Sequence, residues 1–349
     1  MECSIKVVSC IKITLKLMKR VFFFCVCAAL AAAWVASCTP SAIPEPKPQE
    51  PQEQPQEPEP EPGNPSYPVD VQAAFEEAGL IGRVKSCVHY SPHSSVDVTE
   101  IRYTDYASQP QAVFVMQVDL SDPTVSMTNT VPDGREKLSS QLRRIDAEGS
   151  RVIGGINTDF FITDTGPTAG QAQGIFWHKG ICIKDTFNSQ TNRPRCFVYW
   201  DGDETVRIAS SSYYTQIKAS TSLREAFSGG QFLVVNGGYS TITADSVYGV
   251  HPRTMFGVQE GGKKVILVVL DGRNSVLAVG MNYPDMQKIM KALGSFDSIN
   301  IDGGGSSTFI VRDTSSGGYG LNAKFLIKNM PSDGTERAIG PGLAIVASD

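Results

Sequence analysis

An α+β fold, with mixed, largely antiparallel sheets and a few helices packed on them in one large domain, is what this sequence predicts, and three observations predict it. Much of the chain after residue 96 falls into short runs of alternating apolar and polar residues separated by turn signals, the pattern of half-buried strands. Two segments, 137–148 and 283–293, place apolar residues at helical spacing instead. One run, Lys264 to Leu270, is apolar throughout after its lysine, as a strand buried on both faces would be.

The first 68 of the 349 residues stand outside that fold. Met18-Lys19-Arg20 followed by the apolar run Val21 to Ala33 has the anatomy of a secretory signal, too short to span a bilayer, and Met18 is a candidate true start. This signal, residues 1–37, ends in Val35-Ala36-Ser37-Cys38, which resembles a bacterial lipobox and implies cleavage before Cys38 with lipidation of its thiol. From Thr39 to Pro68 the chain holds 11 of its 21 prolines, six glutamates and one lysine. Such a segment cannot bury a core and reads as an extended, self-repelling tether, with a reach of roughly 90 Å at about 3.1 Å per residue. The expectation is a lipid-anchored protein of the bacterial cell envelope, on a periplasmic or surface face of the outer membrane, that touches the membrane only through its anchor.

Residues 1–38 carry +4 and the tether −5, so −4 of the total −5 belongs to residues 69–349, the predicted domain. Nothing in that balance recommends a nucleic-acid partner. The domain holds three cysteines, Cys87, Cys182 and Cys196. An odd number argues against a disulfide framework, although a Cys182–Cys196 bridge stays open. No C-x-x-C pair is present to bind zinc through thiolates.

Taken in order, Val71 to Gly79 reads as a short helix stopped by glycine. Val96 to Thr130 reads as successive strands with a turn at Ser121-Asp122-Pro123. Leu138, Leu142 and Ile145 mark an amphipathic helix, Gly149 caps it, and the strand Arg151 to Ile156 runs straight into Asn157-Thr158-Asp159-Phe160-Phe161. Thr163 to Gln173 is a long polar loop that would border a cleft. Gly174 to Lys184 suggests a hairpin, and Phe197 to Ile208 another around Asp201-Gly202-Asp203-Glu204; an Asp-Gly turn explains those three carboxylates without a metal. Asn236-Gly237 has the composition of a type I′ turn. After His251-Pro252-Arg253-Thr254 come a strand through Gln259 and the central run to Leu270, which ends in Asp271-Gly272-Arg273. Tyr283 to Leu293 is a helix with proline early and Gly294 as its stop. The strand Ser298 to Ile301 then delivers Asp302, and Gly342 to Val346 closes the chain. Three of these strands end in acidic or amide side chains; as neighbours in one sheet they would build a single polar pocket.

Between Ile301 and Phe309 lies Asp302-Gly303-Gly304-Gly305-Ser306-Ser307-Thr308. A tight hairpin needs only one or two glycines, so three in a row suggest backbone that comes close to something else, with N–H groups free for an oxyanion. A wide hairpin is the plainer reading. No nucleophile elbow, no Gly-Lys-Ser/Thr loop and no His-Glu-x-x-His occurs, and the chain has only four histidines. What remains is carboxylate, arginine, hydroxyl and glycine backbone, an inventory suited to an anionic carbohydrate. Arginine grips phosphate oxygens through paired hydrogen bonds, and carboxylates act on glycosidic carbon.

His251-Pro252-Arg253-Thr254, Asp271-Gly272-Arg273, Leu293-Gly294 and Asp302 to Thr308 stand in an order and spacing that resemble the phosphodiester glycosidase family. Asn157-x-x-Phe160-Phe161 and Arg337 resemble its upstream and downstream elements, so the likeness covers roughly 110–349; Thr158 stands where the family often has glycine. The resemblance implies hydrolysis of an N-acetylglucosamine-1-phosphodiester, or a related sugar-1-phosphodiester, on a surface or periplasmic glycan. It assigns Arg253 to the phosphate, with Arg273 or Arg337 assisting. Asp302 and Asp271 become candidates for nucleophile, base or metal ligand, and Asp159 for catalysis or loop structure. Thr254, Gly272, Gly303, Gly304, Gly305, Ser306 and Ser307 are candidate contacts to phosphate or sugar, and Asn157 holds a sugar hydroxyl or the loop itself. No cofactor is required by this set; a divalent cation, calcium or magnesium, on Asp271 and Asp302 stays open. The alternative is a tethered, non-catalytic binding module for phosphorylated glycans, which needs the arginines but no reactive carboxylate.

Overall fold

The strand Lys264–Leu270 lies inside the largest sheet, and its unbroken apolar sequence is explained by what covers its two faces. Val265, Leu267 and Val269 point into one core, while Ile266, Val268 and Leu270 point into another. A computed structural model describes residues 67–188, 195–242 and 249–348. The signal segment, Cys38 and the tether up to residue 66 lie outside them.

Eight strands make this sheet, in the order Arg83–His93, Val96–Thr104, Pro110–Asp119, Lys264–Leu270, Arg253–Val258, Asp297–Ile301, Phe232–Val235 and Gly238–Tyr239. A second sheet of five orders Arg207–Ser210, Cys196–Trp200, Glu225–Gly229, Phe176–His178 and Ile181–Lys184. A third orders Phe325–Ile327, Phe309–Arg312, Arg151–Asn157, Gly342–Ala347 and Val125–Asn129. Glu136–Lys137 and Ala338–Ile339 form a small pair. Every strand pairing among the described residues is antiparallel, which makes this an α+β protein of largely antiparallel sheets.

The layers follow from the alternation. One face of the large sheet packs through Phe114, Met116, Leu267 and Phe256 onto Ile156, Phe309 and Leu343 of the third sheet and Val198, Trp200 and Phe227 of the second. Its other face carries the helices Val71–Glu77 and Tyr283–Ala292 through Phe75, Met286, Ile289 and Met290. Leu138–Ala147 covers the outside of the third sheet, and Tyr214–Ser220 that of the second. Side chains cap two helix starts, Asp70 the first by accepting from Ala73 N and Asn282 the helix at 283 by accepting from Asp285 N, and the expected stops Gly79, Gly149 and Gly294 all adopt positive φ. Asn236 and Gly237 both adopt positive φ, 50° and 71°, as a type I′ turn requires.

Three expectations are corrected. The glycine-rich stretch is no hairpin: Asp297–Ile301 belongs to the large sheet and Phe309–Arg312 to the third, so residues 302–308 carry the chain across the core. For the same reason the three polar strand ends are not neighbours in one sheet, since Arg151–Asn157 lies in the third. Alternation shows that a strand has a buried face but not which sheet receives it. Cys182 and Cys196 are both free, because two strands separate theirs, a gap of about 14 Å that no disulfide spans. The edge strand Arg83–His93, the strands Glu225–Gly229 and Phe325–Ile327 and the helix Tyr214–Ser220 were not legible in the sequence.

The doubly covered central strand yields a stability prediction. Leu267→Ala is expected to cost about 2–5 kcal/mol, read as a lowered midpoint in urea unfolding.

Candidate active site

Strand register brings the site together. Arg253 pairs with Leu270, and Thr254 pairs with Ile301. Asp271 and Asp302, each following its strand directly, therefore emerge beside the start of Arg253–Val258. Asn157 reaches this edge from the third sheet. Its Oδ1 accepts from Thr254 Oγ1 at 2.9 Å and from Thr308 N at 3.1 Å, while its Nδ2 donates to the Asp302 carbonyl at 2.6 Å. Thr254 and Ser307 hydroxyls lie 3.2 Å apart, and Asp302 N donates to Thr158 O at 2.9 Å. Asn157, Thr254 and Ser307 are all buried, so they join the sheets beneath the site and hold the loop.

Above them opens a cleft of about 250 Å³, lined among others by Phe160, His251, Arg253, Arg273, Tyr283 and Asp302. Arg253 lies 4.8 Å over the Tyr283 ring and donates through Nε to Met281 O and through Nη2 to Gly249 O. Arg273, at φ 62°, lays its guanidinium against Gly304, where a Cβ would stand 3.1 Å from Nη2. Neither arginine has an ion pair among the described residues. Burial, with the Arg253 and Arg273 charges adding, pushes the His251 pKa down and favours its neutral form. Arg337 is placed differently. It pairs with Asp333 at 2.6 Å, reaches Ser306 Oγ at 3.5 Å and packs on Gly305 from outside the cleft lining.

The three candidate carboxylates occupy unlike surroundings. Burial raises Asp302 to about 6, against the lowering effect of the Ser306 hydroxyl, the Gly303 N–H and the Arg337 charge. Asp159 is fully enclosed; its Oδ2 accepts from Gly174 N at 3.1 Å and its Oδ1 has no hydrogen-bond partner among the described residues. Burial pushes it up to about 8, opposed chiefly by Arg195 and aided by the Asp302 charge. The two carboxyls are thus pushed apart, Asp159 to about 8 and Asp302 to about 6, so that Asp302 is the more readily ionised of the pair. Asp271, raised to about 6 by burial, commits both oxygens to Met330 N at 2.9 and 3.0 Å and accepts from Asn329 Nδ2 at 3.1 Å. It anchors the 329–330 segment and does not line the cleft.

The glycines answer to close approach within the protein. A Cβ on Gly303 would meet Pro252 O at 2.9 Å, one on Gly272 would meet Pro252 N at 2.6 Å, and one on Gly305 would overlap Arg337. Most loop N–H groups are already engaged: Gly303 to Asp302 Oδ1, Gly304 to Pro252 O, Ser306 to Gly303 O and Ser307 to Gly304 O. The nest of free donors expected from the sequence is thus largely occupied by the protein itself. Among the described residues no cluster of three or more His, Cys, Asp or Glu side chains gathers to hold a metal, and Asp271 is already engaged. Gln231, Asn300 and Arg195 also reach the cleft or its wall, yet they sit in no motif and are joined to it only by folding.

Enclosure of Asp159 has a thermodynamic consequence. The native protein keeps a proton that the unfolded chain releases above about pH 4, so this group's stabilisation is present in acid and is lost as pH rises toward 8. Asp159→Asn is expected to remove that loss, giving a variant whose stability gain over the parent grows between pH 4 and 8 in chemical unfolding. Asn157→Leu should cost about 1–3 kcal/mol for each buried group left unpaired, seen in the same experiment.

A model of the phosphodiester glycosidase family matches residues 150–346, more than half of the chain and all of the site just described. Among solved structures, the catalytic domain of zebrafish N-acetylglucosamine-1-phosphodiester alpha-N-acetylglucosaminidase, auto-inhibited by its pro-peptide, aligns over 76% of this chain and 88% of its own, with TM-score 0.53 and 20% identity. A putative exported protein from Burkholderia pseudomallei aligns over 68% and 74%, with TM-score 0.47 and 15% identity. A hypothetical protein from Synechocystis aligns over 75% and 64%, with TM-score 0.49 and 10% identity. No curated protein sequence matches the chain. The zebrafish likeness speaks for the fold, and the family match covers every strand end that builds the cleft: the chain belongs to the phosphodiester glycosidase family.

Proposed function

We propose that this protein hydrolyses a sugar-1-phosphodiester, of the N-acetylglucosamine-1-phosphodiester type, on a surface or periplasmic glycan. The observation that carries this reading is the pairing, in one cleft, of two arginines lacking a carboxylate partner among the described residues with the carboxylate residue Asp302 beside them. An arginine held by backbone carbonyls and a ring, as Arg253 is, keeps its guanidinium oriented and its charge available for a ligand anion. The family assignment supports the same chemistry.

In this mechanism the bond between the anomeric carbon and the phosphate oxygen breaks, and the phosphate leaves with the electron pair. Arg253 and Arg273 take up the growing charge. Asp302 attacks the anomeric carbon or draws a proton from the attacking water, the phosphate departs as an anion held by the arginines, and Asp159, enclosed outside the cleft lining, acts on the site through its contact with the field of Asp302. Asp271, Asn157, Thr254 and Ser307 act as positioning residues. Arg337 supports Ser306 and Asp302 from behind the glycine loop.

A lipid anchor at Cys38 fits this use. Tyr67 OH donates to Val265 O at 3.1 Å and Val69 N to Gln117 Oε1 at 2.7 Å, so the tether joins the domain near the start of Lys264–Leu270. The cleft lies past the other end of that strand, about 20 Å on.

Incubated with a synthetic N-acetylglucosamine-1-phosphodiester, the protein should release free sugar. Asp302→Asn and Arg253→Ala should each lower kcat/KM by about 10²-fold or more with an unfolding midpoint near that of the parent. Full turnover in both variants would sink the site assignment, and saturable binding without turnover would establish the binding module instead.

A further inference from the structure

Arg195 stands one residue before the strand Cys196–Trp200 of the second sheet, outside every motif. Its side chain is buried against the wall of the cleft. Nη2 donates to Gln173 Oε1 at 2.9 Å, and the guanidinium lies 5.4 Å from the centre of the Phe160 ring. Gln173 in turn grips the backbone around that ring, donating from N to Phe160 O at 2.7 Å and from Nε2 to Phe161 O at 3.1 Å. The next residue, Gly174, supplies the N–H that Asp159 Oδ2 accepts. One cation therefore fixes, through a stacked ring and a shared glutamine, the two consecutive residues that supply an apolar wall and a buried acid.

We propose that Arg195 is the positioning residue of this wall, holding Phe160 as the platform for the sugar ring and the enclosed Asp159 behind it. A buried guanidinium is costly to desolvate, and the acid in its field and the ring under it offset that cost. The groups facing Asp159 are the Arg195 cation, the Asp302 carboxylate, the Cys196 thiol and the backbone N–H groups of Gly174 and Ser228. Arg195 is the cation among them and restrains the rise that burial imposes on Asp159. Removing its charge while keeping its bulk should let Asp159 hold its proton to higher pH.

The kinetic half of this inference rests on the hydrolysis proposed above, so the test needs a readout independent of turnover. In the full chain, carboxyl-labelled aspartate NMR follows Asp159, identified by the signal missing from Asp159→Asn. Arg195→Met should raise the Asp159 midpoint by about one unit or more, and the alkaline limb of kcat/KM should move with it. Arg195→Lys restores the charge without the planar fork, so it should return both toward the parent value while KM stays raised several-fold. An Asp159 midpoint and limb that both stay in place in Arg195→Met overturn the proposal, as does parental kcat and KM in Arg195→Lys, which remains decisive where the methionine variant does not fold. A midpoint that moves without the limb upholds the hold of Arg195 on Asp159 and shows that turnover does not need the Asp159 proton.

Discussion

The Asn157 side chain is the junction on which the site depends. It sits at the end of a strand in one sheet and satisfies, at once, a hydroxyl on the first turn of a strand in another sheet, the backbone N–H of Thr308 and the carbonyl of Asp302. Each of these bonds contributes about 0.5–1.5 kcal/mol net, but an unmade partner in so buried a place costs more than a made bond contributes. The junction therefore specifies the relative placement of the two sheets more than it stabilises either one. Because Asp302 is held by its own carbonyl and by its N–H to Thr158, its carboxyl is left to face the cleft.

Burial decides what each charged group in the site can do. Asp159, Asp271 and Asp302 are chemically identical, yet one is enclosed with an oxygen unpaired among the described residues, one is bound by the Met330 N–H and the Asn329 amide, and one lines the cleft. Enclosure raises Asp159 to about 8, while at Asp302 the Ser306 hydroxyl, the Gly303 N–H and the Arg337 charge hold the rise from burial to about 6. The arginines divide in a similar way. Arg337 is neutralised by Asp333, whereas Arg253 and Arg273 rest on carbonyls, hydroxyl and ring, so their charge remains available to an anion.

The glycine loop shows how such a site is packed. Its three glycines let the backbone pass close beneath Pro252, Arg273 and Arg337, where a Cβ on Gly303 would crowd the Pro252 carbonyl and one on Gly304 or Gly305 would push on an arginine. That crowding orients the two arginines on either side of one loop, Arg273 over Gly304 toward the cleft and Arg337 over Gly305 away from it. The loop's contribution is thus the placement of side chains around it more than the offer of its own N–H groups.

By itself the sequence determined the fold class, the doubly buried central strand, three of the helices with their glycine stops, the type I′ turn at 236–237 and the motif set that marks the family. These are local: alternation, helical spacing and turn composition act within a few residues, and a motif's chemistry is written in side-chain type. Only the tertiary structure decided that residues 302–308 cross between sheets, that Asn157, Thr254 and Asp271 work inside the protein, and that Arg195 and Gln231 belong at the cleft. Each of those facts depends on which strand pairs with which across a hundred residues or more, and on how deeply folding buries a carboxylate, neither of which a residue's neighbours in sequence can encode.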